Sequence, residues 1–401
     1  MTFSRTLLML NSLLINKMDK MIKKLVFCIY TPMKDRDYVR YGIKDLIQRG
    51  VNVKVIDLSI LQYPEIESSA FNDNCYYSDL VYKVQTMDRF VHEIELISSL
   101  DVIISVGLPK VSLYRAMKKS SAKVGFQLWG TIPFKKGGVK NKLNRMIKTL
   151  SLTRIYNIVD DVKRYYYYNI KEVDFLLAAG SKCKDLYFKR NNIKKVINCH
   201  SYDYSYFQKN IKNITKSKFD ERYIVFIDQM LPLHPDNKRF TQDLTPYTFD
   251  YFNRLRRTFA IVENEMNCKV VIACHPRANY SEDDKEAYFG NRKVFYGETL
   301  NLINECCLCL THYSTSISFA AICNKRVLFL DDPIMELNGG KNIALNMAAM
   351  FGSNLLSTRL LQFDVGGNNS NVKMLKYISD YITIADSDKT NCEIIMREFK
   401  L

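Results

Sequence analysis

Short apolar runs that end in a turn and lead into a helical pattern recur along most of this chain. That rhythm limits its possible folds more than any other feature. In the first half, Leu25–Tyr30 is rich in β-formers and ends at Thr31-Pro32, a helical pattern over Tyr38–Arg49 closes at Gly50, and Val51–Leu58 reads as a second strand. An amphipathic stretch over Phe90–Leu100 leads to Asp101–Val106, which runs into Gly107-Leu108-Pro109. Lys123–Leu128 runs into Trp129-Gly130, and Val173–Ala179 into Gly180-Ser181. Unbroken apolar runs joined through helices are the pattern of strands buried on both faces of a parallel sheet.

The stretch 208–221 is polar and poor in apolar anchors, and the rhythm restarts after it. Tyr223–Ile227, Lys269–Cys274, Lys293–Tyr296, Cys307–Thr311 and Arg326–Leu330 read as strands, and Tyr247–Glu265, Leu300–Glu305 and Thr315–Cys323 as helices. The expected fold is α/β, with two Rossmann-like domains facing across a cleft. The expected division is an extension over 1–20, a first domain over 21–210 and a second over 211–401. No repeat of 20–50 residues appears, which argues against a solenoid. The run Tyr165–Tyr168 is read as one side of a helix packed and the other wet.

Composition bounds the partners. A chain of 401 residues with 47% apolar content is long enough for two cored domains, and it has no apolar run of membrane-spanning length. Its formal charge of +16 favours polyanions, whether nucleic acid, anionic lipid or phosphorylated substrate, although richness in Lys, Asn, Ile and Tyr also follows from an AT-rich gene. No nucleic-acid-binding motif accompanies the charge, so nucleic-acid binding stands only as an alternative. The eleven cysteines form no zinc-ligand ladder and read as free thiols of a reducing cytoplasm. Arg5 and the apolar runs Leu7–Met9 and Leu13–Ile15 weakly imitate a signal peptide, but no small-residue cleavage site follows them.

Open α/β sheets bind ligands beyond the carboxyl ends of their strands, so the turns there hold the candidate residues. Thr311-His312-Tyr313-Ser314-Thr315-Ser316 lies between a buried strand and a helix of small and apolar residues. A hydroxyl-rich helix start can cradle a phosphate through unpaired amides and hydroxyls; plain N-capping needs only one hydroxyl. His275-Pro276-Arg277 follows another strand, with the imidazole at the rim to bond or protonate a phosphate oxygen and Arg277 to add charge. Asp228-Gln229, followed by His234-Pro235-Asp236, forms the loop after the first strand of the second half. Asp228 is read as holding a donor hydroxyl, positioning His275, or simply forming a turn. In Gly297-Glu298-Thr299, Thr299 reads as a helix N-cap and Glu298 as a ribose acceptor.

A strand ending in His-Pro, then a strand ending in a Tyr-Ser-Thr turn, then a helix and an apolar strand, resembles the donor half of GT-B glycosyltransferases over about residues 222–332. It is most similar to bacterial sialyltransferases, and also to polyglycerol- and polyribitol-phosphate transferases, through His275, Pro276, Tyr313, Ser314 and Thr315. The resemblance implies that His275 stabilises or protonates a departing CMP phosphate and that Ser314 and Thr315, beside Ser316, bind it. It also implies a carboxylate base on the first domain within an acidic-acidic-Gly motif, which this sequence lacks. Asp35 and Asp37 are candidates by position, Asp160-Asp161 is a further acidic pair, and the identity of the base stays open. A metal-independent glycosyltransferase of bacterial surface polysaccharide assembly is therefore expected, with no cofactor. Its expected donor is a nucleotide sugar, preferably a CMP-activated nonulosonic acid or Kdo, and its acceptor a glycan or lipid-linked glycan. The alternative is a CDP-alditol phosphotransferase. Lys135, Lys136, Lys140, Lys142, Arg145 and Lys148, interleaved with Val139, Leu143, Met146 and Ile147, read either as a solvated helix face or as one suited to an anionic membrane. The expected location is cytoplasmic, peripheral at the inner face of the membrane.

Overall fold

The computed structural model describes residues 24–63, 79–130, 171–188, 192–213, 221–235, 242–360 and 369–401, with Asn237 and a few residues of 159–168. The segment 135–148 and the pair Asp160-Asp161 lie outside the described residues, as do Asp236 and residues 1–20.

Two wholly parallel sheets organise the chain. The first holds β1 (Leu25–Ile29), β2 (Val53–Asp57), β3 (Val81–Lys83), β4 (Val102–Val106), β5 (Lys123–Leu128), β6 (Phe175–Ala179) and β7 (Val196–Cys199), in the order β3-β2-β1-β4-β5-β6-β7. The second holds β8 (Tyr223–Ile227), β9 (Lys269–Ala273), β10 (Val294–Phe295), β11 (Leu308–Thr311), β12 (Val327–Asp331) and β13 (Leu355–Ser357), in the order β10-β9-β8-β11-β12-β13. Both sheets reverse strand order once, between β1 and β4 and between β8 and β11. Those two points are where a Rossmann-like sheet opens a crevice at its carboxyl edge.

The helices used below are α1 (Asp35–Arg40), α2 (Ile43–Gln48), α3 (Met87–Glu95), α4 (Val111–Met117), α5 (Tyr202–Asn210), α6 (Thr248–Met266), α7 (Glu282–Phe289), α8 (Thr299–Glu305), α9 (Ile317–Ile322), α10 (Gly340–Phe351), α11 (Asn371–Tyr377) and α12 (Asn391–Phe399). The single helix expected over Tyr38–Arg49 is two, α1 and α2, because Gly42 adopts a left-handed conformation (φ +79°) and breaks the pattern between them.

Alternation along the strands of the second sheet splits its core in two. Ile224, Phe226, Ile272 and Leu310 pack with α6 and α7 on one face. Val225, Val271, Cys309 and Phe329 pack with α8, α9, α10 and α11 on the other. The chain therefore leaves β8 and β9 on one side of the sheet and β11 on the other, which is what creates the crevice at β8–β11. In the first sheet, α3 and α4 cover one face and α2 the opposite one. The last helix, α12, returns to the first sheet: Cys392, Ile394, Ile395 and Phe399 join Leu25, Phe27 and Phe175 in one cluster. Asn391 pins this return, its Oδ1 accepting from the His200 amide at 2.7 Å and its Nδ2 donating to the His200 carbonyl at 2.9 Å.

Tyr168 is buried against Tyr114 and Phe126 and donates to the Pro109 carbonyl at 2.9 Å, while Tyr166 is exposed, so that run does have a packed and a wet side. The ten cysteines among the described residues are free thiols. Cys306 and Cys309, in CxxC spacing, have their sulfurs 3.4 Å apart. No described helix is long and apolar enough to cross a membrane.

Candidate functional site

Three turns meet at the carboxyl edge of the second sheet around the end of β8. The registers Ile227↔Ala273 and Phe226↔Leu310 put β9 and β11 on either side of β8. His275 and the turn after Thr311 thus stand two strand spacings apart, on the order of 10 Å. Ala273 and Cys309 face the same side of the sheet, and alternation within β11 turns Thr311 to that side as well.

Asp228 and Gln229, at the end of β8, bind the three turns together. Asp228 is buried, and its Oδ1 accepts from the Met230 amide at 2.9 Å, holding a residue with φ +51° in place. Its Oδ2 accepts from the Tyr280 hydroxyl at 3.0 Å and from the His275 amide at 3.5 Å. Burial pushes the Asp228 carboxyl above its ordinary range, against the pull of these donors. Of the three sequence readings of Asp228, the bond to the Met230 amide is the turn-forming one, and the longer contact with the His275 amide is compatible with positioning His275. Gln229 reaches the other way, its Oε1 accepting from the Tyr313 amide at 2.7 Å.

His275 is half-buried, whereas Pro276 and Arg277 are exposed. The ring's Nδ1 accepts from the Arg277 amide at 3.2 Å, which in a neutral imidazole places the proton on Nε2. His234 meets it edge to face, with ring centroids 5.0 Å apart.

The hydroxyl turn differs from the amide cradle expected of it. The Tyr313 amide is held by Gln229, the Ser314 amide by Thr311 Oγ1 at 3.4 Å, the Ser316 amide by Ser314 Oγ at 3.2 Å and the Ile317 amide by the Ser314 carbonyl at 3.3 Å. The helix that follows, α9, has six residues and a correspondingly small dipole. Hydroxyl protons, with the Thr315 amide, are what the turn offers an anion. Ser314 Oγ accepts from Ser316 and keeps its own proton to donate, and Thr315 is exposed. Behind the turn, the Tyr313 hydroxyl accepts from Asn338 Nδ2 at 2.9 Å. His312 is buried away from the turn, bonded to the Leu330 carbonyl at 2.9 Å and the Tyr251 hydroxyl at 3.0 Å; burial holds its pKa below the usual value.

Glu298, not Thr299, precedes the first turn of α8, and its side chain makes no capping bond. It lies at the same sheet edge beyond β10. Asp332 is structural: Arg254 grips it bidentately at 2.8 and 2.9 Å and the Thr358 hydroxyl donates at 2.6 Å.

In the first half, α1 follows β1 at that sheet's own reversal. Asp35 is exposed in its first turn. Asp37 is buried, its Oδ2 accepting from the Lys34 amide at 3.4 Å and its Oδ1 lying 3.5 Å from Arg36, so its carboxylate is engaged in ending the loop. The sequence reading missed Tyr280, which follows His275 with no motif to flag it. It also missed Asp203 on α5, which is hydrogen-bonded to Ser318 of α9.

No family model matches this sequence, and no curated protein does. Among solved structures, a variant of the wall teichoic acid polymerase TagF matches with a TM-score of 0.52 at 12% identity, over 95% of this chain and 90% of that one. A UDP-GlcNAc 2-epimerase from Methanocaldococcus jannaschii matches with a TM-score of 0.47 at 13% identity, over 94% and 99%. Acinetobacter baumannii MurG matches at 0.41 and 10% identity, over 84% and 86%. The fold is that of two Rossmann-like domains facing across a cleft, the GT-B arrangement.

Proposed function

We propose that this protein is a transferase of surface-glycan assembly that uses a cytidine-nucleotide-activated donor, preferably a CMP-linked acidic sugar of the nonulosonic or Kdo type. The observation that carries this reading is the grouping of His275, the Asp228-Gln229 loop and the Ser314-Thr315 turn around the end of β8, at the reversal of the second sheet. The motif order that resembles cytidine-nucleotide transferases falls on this crevice.

In the proposed reaction an acceptor hydroxyl attacks the anomeric carbon, the bond from that carbon to the phosphate oxygen breaks, and CMP departs with the bonding pair. The charge left on its phosphate is met by the Nε2–H of His275 and the hydroxyls of Ser314 and Thr315, held in place by Asp228 and Gln229. Because Nδ1 already accepts an amide proton, the ring acts as a neutral donor rather than as an imidazolium acid. Arg277 and His234 border the same anion, Pro276 fixes the turn, Ser316 supports Ser314, and Glu298 faces the nucleoside. The acceptor, a glycan or lipid-linked glycan, docks on the first half. There Asp35 is better placed than Asp37 to take the hydroxyl proton, since Asp37 is occupied at the start of α1. The chain works at the cytoplasmic face of the membrane, drawn there by its basic charge.

The similarity to TagF favours a second reading, transfer of an alditol phosphate from a CDP-alditol, in which the hydroxyl attacks phosphorus and CMP again leaves. Thermal-shift measurements with CMP, CDP, UDP and GDP test what the two share, and turnover of CMP-sugars against CDP-glycerol separates them. A cytidine-specific shift that is lost in His275→Ala and weakened in Ser314→Ala is expected. No cytidine preference, or an undiminished shift in His275→Ala, would overturn the proposal.

A further inference from the structure

Asp203 connects the two halves at the back of the hydroxyl turn. It lies in the first turn of α5, and its Oδ2 is hydrogen-bonded with Ser318 Oγ on α9. The same Ser318 hydroxyl lies 2.9 Å from the carbonyl of Thr315, which also receives the Ser318 amide at 3.2 Å. A serine hydroxyl has one proton, and here two oxygens without protons of their own would compete for it if the carboxyl were ionised. One proton could then satisfy only one of the two contacts fully, and sharing it would weaken both. A protonated carboxyl removes the conflict: Asp203 donates to Ser318 Oγ, and Ser318 Oγ donates to Thr315.

We propose that Asp203 holds a proton at neutral pH and acts as a positioning residue, bracing the Ser314–Ile317 turn from the first half through Ser318, and that loss of this proton releases the brace. Asp203 is half-buried; its burial pushes the carboxyl above its ordinary range, while Arg40 and Arg36 of α1, and the Ser318 hydroxyl when it donates to the carboxylate, pull the other way. Tyr377 of α11 is the further ionisable group facing it, and on its own helix Tyr202 carries the Arg40 guanidinium 4.7 Å above its ring. The sign follows from the raised pKa: the brace is complete at low pH and is lost as pH rises through the folded-state value. Its consequence for donor binding rests on the reading of this turn as the donor-phosphate site.

The test is amide hydrogen exchange of residues 317–320 in the nucleotide-free protein, expressed as protection factors from pH 5.5 to pH 9. In the wild type, protection should fall about fivefold to tenfold as Asp203 ionises, the worth of one hydrogen bond. Asp203→Asn, whose amide donates to Ser318 and does not titrate, should keep the protection and lose the pH step. Ser318→Ala should lose both. A flat wild-type profile, or Asp203→Asn matching Ser318→Ala, would overturn the brace. The exchange result decides this whether or not a nucleotide binds. The pH profile of CMP affinity in the same variants then tests the link to the donor: it should step with pH in the wild type and be flat in Asp203→Asn, and identical profiles in both would break that link.

Discussion

Replacing Gly340 with alanine should disable the hydroxyl turn from behind. Gly340 opens α10, and a Cβ placed on it would lie 2.3 Å from Cε1 and 2.8 Å from Cζ of Tyr313. Carbon atoms need about 3.5 Å or more between them, so the ring or the helix must give by about 1 Å. Neither does so freely. Tyr313 packs against both core clusters of the second half, and its hydroxyl accepts from Asn338, whose Oδ1 accepts from the Gly340 amide at 2.9 Å. Overpacking of this kind costs about 1–3 kcal/mol, and losing the Tyr313–Asn338 bond adds about 1 kcal/mol. The gain in helix propensity, at most about 1 kcal/mol and smaller at a helix end, offsets only part of that. At about 2–4 °C per kcal/mol for a domain of this size, Gly340→Ala should melt several degrees below the wild type. Tyr313 leads directly into Ser314, so the thermal shift with CMP should shrink as well. Differential scanning calorimetry with and without CMP reads both effects. In the double variant Gly340→Ala/Tyr313→Ala the clash is gone, and the two costs should be clearly less than additive. An unchanged melting temperature and CMP shift in Gly340→Ala, or strict additivity in the double variant, would refute the steric argument.

Two further predictions concern the frame around the site. Arg254→Met removes one partner of a largely buried bidentate pair and should cost about 3–5 kcal/mol, measured by urea unfolding. Burial raises the Asp332 carboxyl, but bonds from Arg254, Thr358 and the Ile334 amide outweigh it and hold the pKa below the ordinary value. The stability from this pair is therefore present above the ordinary carboxylate pKa and lost as pH falls through the depressed one; in Arg254→Met that acid-side loss should flatten. Asn391→Ala removes three bonds that pin α12, to the amide and carbonyl of His200 and to Ser205 Oγ, and should loosen the return of the last helix. Faster proteolysis after residue 390 with the second sheet's amides still protected is the expected result, and uniform loss of protection would contradict it.

The sheets were legible in the sequence because strands buried on both faces are nearly continuous apolar runs. Tyr223–Ile227 and Lys123–Leu128 appear with the bounds expected, and most other strands fall within a residue or two. Three of the four edge strands were not legible: Val81–Lys83 and Leu355–Ser357 have three residues each and Val196–Cys199 four, too few for a pattern, whereas Val294–Phe295 falls inside the expected Lys293–Tyr296. The break between α1 and α2 was readable in principle from Gly42, but one glycine inside a helical pattern is usually tolerated. The placement of His275 and the Ser314 turn followed from the rule that ligands gather at strand ends. The engagement of the Tyr313 amide did not follow, because it depends on Gln229, more than eighty residues away in sequence. The return of α12 and the bond between Asp203 and Ser318 are contacts between distant segments, and an amphipathic helix does not announce which sheet it covers.

A crystal structure of the protein with CMP bound addresses the central claim most directly. The account predicts the phosphate at the end of β8, within hydrogen-bond reach of His275 Nε2 and of the Ser314 or Thr315 hydroxyl. A CMP phosphate seated elsewhere, or one facing away from His275, would contradict it.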